Sequence, residues 1–61
     1  MTGEEIKKIR KSLNLTQEEF AHQLGVTLST VNRWETKKTR ASRLAKREIM
    51  RLAKENGIIK E

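Results

Sequence analysis

The chain has 61 residues, 14 of them Lys or Arg against 8 acidic residues, all Glu, for a net charge of +6 at pH 7. Cysteine is absent and His22 is the one histidine, which excludes disulfides and thiolate metal sites and leaves almost no vocabulary for acid–base chemistry. A domain this small buries only about 60% of its unfolded surface, too little to enclose a roomy catalytic cavity, and its basic excess suits a polyanion such as nucleic acid or an anionic membrane surface.

Hydrophobic residues form 34% of the chain and charged residues 36%, near the border with disorder, yet the apolar positions are spaced rather than scattered. No apolar run is long enough to cross a bilayer, and the N-terminus lacks the apolar stretch of a signal peptide. A cytoplasmic location is expected. With no Pro, no repeat and no low-complexity tract, residues 1–61 read as one domain.

Thr2 with Glu5 forms a capping box that opens a first helix, in which Ile6, Ile9 and Leu13 recur at helical spacing. Asn14 tolerates the left-handed conformation and ends it. A second box, Thr16 with Glu19, opens a short helix with Phe20, Ala21 and Leu24 inward. Gly25 then supplies a tight turn with positive φ. Thr27 caps a third helix carrying Val31 and Trp34 on its apolar face. Residues 36–40 contain no apolar side chain and read as a loop. A fourth helix, over about residues 42–55, starts at Ser42 or Ala41 and places Leu44, Ala45, Ile49, Leu52 and Ala53 on one stripe. Asn56 and Gly57 cap its end, with Ile58 folding back on the last turn. The predicted class is all-α, with four helices.

Residues 16–35 pair two short helices across the Gly25 turn, with Phe20, Ala21, Leu24, Val26, Val31 and Trp34 at buried positions. Small Ala21 fits helices that must approach closely while crossing at roughly 90–120°. The core positions are scaffold, but bundle packing does not account for Leu28, Ser29, Asn32 and Arg33 on the outside of the third helix. An ordinary surface helix carries Glu/Lys pairs one turn apart. Hydroxyls, an amide, an Arg and an outward Leu are instead the chemistry of base edges and the thymine methyl.

The opening Leu15-Thr16-Gln17-Glu18-Glu19-Phe20-Ala21, the turn Leu24-Gly25-Val26 and the close Trp34-Glu35 together resemble the lambda-type repressor and Cro helix-turn-helix family, also called XRE-like. The likeness runs from about Ile6 to Leu52. It implies a compact four-helix DNA-binding domain in which Thr27, Leu28, Ser29, Asn32 and Arg33 face the major groove. It also implies backbone contacts from Gln17, Thr30, Lys37, Lys38, Thr39, Arg40 and Arg43, and an ion pair between Arg10 and Glu35 that links the first helix to the third. Two departures stand out. Lys37 occupies a position where many members have Gly, and the chain ends soon after the fourth helix where many members add a fifth.

The resulting expectation is sequence-specific binding of double-stranded DNA by a homodimer on a palindromic site, as a prokaryotic or phage transcriptional regulator. Met50, Ile58 and Ile59 are the apolar residues left for dimerisation. The alternative is an antitoxin-like module that holds a protein partner as well as DNA. A membrane-surface binder is disfavoured, because the one Trp belongs to the core pattern and the basic residues are spread over several helices. No catalytic residue, metal or cofactor is expected, and His22 reads as a surface residue.

Overall fold

The computed structural model describes residues 1–58, which form α1 (Gly3–Ser12), α2 (Gln17–Leu24), α3 (Leu28–Glu35) and α4 (Arg43–Glu55). The described residues contain no strand. Each helix begins where a hydroxyl can cap it. Thr2 and Glu5 exchange backbone and side-chain hydrogen bonds at 2.7 and 3.1 Å, and Thr16 and Glu19 do the same at 2.9 and 3.1 Å. Thr27 accepts from the Thr30 N–H at 3.3 Å and Ser42 from the Ala45 N–H at 3.1 Å. These bonds satisfy N–H groups that have no partner inside a helix.

All four helices end in the same way, with a left-handed residue and a backbone bond reaching back across the last turn. The left-handed residues are Asn14, Gly25, Lys37 and Gly57, with φ between 64° and 72°. The bonds run from Leu15 to Arg10, Val26 to Ala21, Lys38 to Arg33 and Ile58 to Ala53, at 2.9 to 3.2 Å. Lys37 therefore reaches the turn without the freedom of glycine, in a conformation that costs a residue with a Cβ about 1–2 kcal/mol.

The buried core comprises Ile6 of α1, Phe20 and Ala21 of α2, Val31 and Trp34 of α3, and Ile49, Leu52 and Ala53 of α4. Ile9, Leu13, Leu24, Val26 and Ala45 pack against it half-buried. Leu44 departs from the expected stripe and is 67% exposed. It precedes Ala45 by one residue, about 100° around the helix, and that rotation turns it from the core to solvent. Met50 is half-buried and Ile58 is 37% exposed, while Ile59 lies outside the described residues.

In the packing, α3 lies against α1 and α2, and α4 rests on α2. The crossing of α1 over α3 is close at one point. Gly3 is buried, and a Cβ there would overlap the Trp34 carbonyl and stand 3.2 Å from the Glu35 Cα. Glycine is required here by contact, not by its torsion angle.

Two substitutions separate these effects. Gly3→Ala, ordinarily stabilising in a helix, is expected to destabilise by roughly 1–3 kcal/mol through overpacking against backbone. Lys37→Gly is expected to stabilise by about 0.5–1 kcal/mol, since relief of the left-handed Cβ exceeds the added entropy of the unfolded chain. Thermal melts followed by circular dichroism check both. A higher melting point for Gly3→Ala, or a lower one for Lys37→Gly, contradicts the respective assignment.

Candidate nucleic-acid interface

The outward face of α3 is built by phase. Val31 and Trp34 turn into the core, so Leu28, Ser29, Asn32 and Arg33 turn to solvent. Leu28 is 45% exposed at the first position of α3. Among the described residues, no hydrogen bond or ion pair within the chain engages the side chains of Ser29, Asn32 or Arg33. Thr27 and Thr30 differ, because their hydroxyls lie 2.9 Å apart and share one proton between them. The other hydroxyl proton of the pair remains free to point outward.

Charge is distributed unevenly along the helices. The first turns of α1 and α2 carry Glu4 with Glu5 and Glu18 with Glu19, whereas α3 has no acid in its first turn. A carboxylate there would have been stabilised by the helix dipole. Its absence leaves the positive end of α3 unneutralised. The first turn of α4 likewise has no acid, and further along that helix Arg51 bridges Glu48 and Glu55, each at 2.9 Å.

A shallow groove of about 360 Å³ runs beside α3, bordered by Gln17, Leu28, Ser29, Asn32, Arg33 and Lys38. The structure thus brings one loop lysine and the start of α2 alongside four of the five residues expected to read bases. The other loop residues lie elsewhere. Lys37, Thr39 and Arg40 border a separate cleft of about 550 Å³ beneath the start of α1, and Lys37 donates to Glu4 at 3.2 Å. Arg43 is exposed at the first position of α4.

Behind this face, Arg10 and Glu35 form an ion pair at 2.7 Å with side chains only 11% and 4% exposed. A second arm of the guanidinium donates to the other Glu35 oxygen at 3.1 Å, and a third to the Leu15 carbonyl at 2.9 Å. Gln17 also donates through Nε2 to Glu35, at 3.1 Å. The sequence places Gln17 at a phosphate and carries no signal for this bond, since 18 residues separate the partners. Burial pushes the Glu35 carboxyl up, but the hydrogen bonds from Arg10 and Gln17 and the Arg10 charge outweigh it and hold it below the usual carboxylate range.

No group of His, Cys, Asp or Glu suited to a metal ion occurs among the described residues, and no helix there is long and apolar enough to cross a membrane. The family model for the helix-turn-helix of XRE and lambda-repressor-like proteins matches residues 6–58. The chain belongs to this family, whose members are DNA-binding domains. Comparison with curated proteins and with solved structures gave no match.

The lowered Glu35 carboxyl gives a signed pH dependence. Its contribution to stability is full above the unfolded carboxylate value of about 4.3 and is lost as pH falls through the lower folded value. Arg10→Met should destabilise by about 3 kcal/mol or more, because it strands a buried carboxylate. It should also reverse the trend, so that the variant loses less stability than the parent on acidification. Urea melts between pH 3 and pH 7 measure both, and parallel curves for the two proteins would sink the linkage.

Proposed function

We propose that this helix-turn-helix domain binds double-stranded DNA sequence-specifically, as a homodimeric transcriptional regulator in the cytoplasm. The observation that carries the reading is the face of α3, where Ser29, Asn32 and Arg33 have no partner within the described chain and no acid stands in the first turn. Unpaired donors and acceptors on an exposed helix suit base edges in the major groove. Arg33 takes a guanine through O6 and N7, Asn32 an adenine edge, and Leu28 a thymine methyl, with Ser29 and the Thr27 hydroxyl beside them. Gln17, Thr30, Thr39, Arg40 and Arg43 meet phosphates. Lys37 reaches one only by leaving Glu4.

Gln17 gains precision from the bond to Glu35. With one Nε2 proton held there, the other is left to donate outward near the start of α2, where free N–H groups already favour a phosphate. Dimerisation belongs to the same reading. Leu44, the most exposed large apolar residue described, is the side chain that supports it best, since burial between two copies removes it from water.

Selection of bound sequences from random duplex DNA tests the proposal. The expected product is a pair of inverted half-sites about 10 base pairs apart, centre to centre. Arg33→Ala should cost roughly 1–3 kcal/mol on that site and relax the choice at one base pair per half-site. Two Arg contacts from each of two copies should give a log–log salt dependence with a slope of roughly −4. Folded protein that enriches no sequence would overturn the reading.

A further inference from the structure

The left-handed turn after each helix folds the second residue beyond it back onto the last turn, over the residue that receives its backbone bond. In α2 and α4 the paired residues are Val26 with Ala21 and Ile58 with Ala53, the apolar contact that ordinarily accompanies this motif. In α1 they are Leu15 with Arg10, whose charge is met by Glu35. In α3 they are Lys38 with Arg33, joined by a 3.0 Å bond from the Lys38 N–H to the Arg33 carbonyl. Two cations replace the apolar pair, and neither has an ion pair among the described residues. Both border the groove beside α3, and no acid borders it with them.

Two like charges on one groove with no acid beside them repel in the free domain. The placement is stabilised only when something electronegative enters the groove. Lys38 is also set apart from its loop neighbours, since Lys37, Thr39 and Arg40 face the cleft on the other side. We infer that Lys38 is a base-reading residue working beside Arg33, and that the pair reads two adjacent guanines; the inference rests on the DNA-reading function proposed above. Lysine offers donors and no acceptor, and guanine alone presents two acceptors on its major-groove edge. Arg33 occupies one such edge. Lys38, folded back over the turn of α3 that carries Arg33 and bordering the same groove, is placed to take the base next to it.

The test is selection from random duplex DNA with the parent chain, Arg33→Ala, Lys38→Ala and Lys38→Arg. Unchanged helicity and melting point should accompany the substitutions at position 38, an exposed residue. Lys38→Ala is expected to lose a guanine preference of roughly tenfold at the base pair next to the one relaxed by Arg33→Ala. Lys38→Arg is expected to keep it. A uniform loss of affinity with every base preference intact, and a salt slope shallower by about 1 for each copy bound, makes Lys38 a phosphate contact and overturns the inference alone. A parent chain that enriches no sequence overturns the inference and the DNA-reading function together.

Discussion

The Glu35 carboxylate is the point on which the domain is assembled. It receives Arg10 from α1 and Gln17 from the start of α2, while Arg10 also holds the Leu15 carbonyl between those helices. Two segments distant from it in sequence, α1 and the start of α2, are thus fixed to the last residue of α3. Such a pair contributes little net stability against an apolar replacement of the same shape, because removing both charges from water is costly. What it supplies is placement. The outward face of α3 and the start of α2 stand in one geometry because the same carboxylate accepts from the elements on either side.

Most of the fold could be read from the residues that start and stop helices. Thr2, Thr16, Thr27 and Ser42 mark four beginnings, and Asn14, Gly25 and Gly57 mark three endings, each through a chemistry confined to a few neighbouring positions. The fourth ending is marked only by the family likeness, which sets Lys37 where many members have Gly, because lysine itself does not announce a left-handed conformation. Leu44 shows a related limit: apolar character suggests burial, but its phase on α4, one residue before the half-buried Ala45, turns it to solvent. Gly3 carried no signal either, since its need for glycine arises from the α3 backbone passing over it. Local chemistry is written in the sequence, and close approach between distant segments is not.

The candidate site divides along the same line. The outward set on α3 follows from helical phase once Val31 and Trp34 are placed inside, and the structure exposes Leu28, Ser29, Asn32 and Arg33 accordingly. The loop could not be resolved in this way. Its run of polar residues gave no phase, and the structure divides it, with Lys38 beside α3 and Lys37, Thr39 and Arg40 under α1. The bond from Gln17 to Glu35 is equally invisible in the sequence, although each residue carries a signal of its own.

The Arg10–Glu35–Gln17 junction also bears on how the domain breathes. Elements tied by one buried charge cannot part singly without stranding it, so α1, the start of α2 and the end of α3 are expected to open as a unit. Among the described residues, Arg10, Gln17 and Glu35 make no hydrogen bond to α4, which meets the rest chiefly through apolar contact with α2. Apolar contact is lost gradually, without the abrupt penalty of an unpaired ion. Amide exchange should accordingly resolve two cooperative units, with α4 exchanging at lower free energy than α1, α2 and α3. The outward face of α3 would then keep its shape while α4 loosens, and a partner engaging α4 would find a surface that yields without disturbing Leu28, Ser29, Asn32 and Arg33.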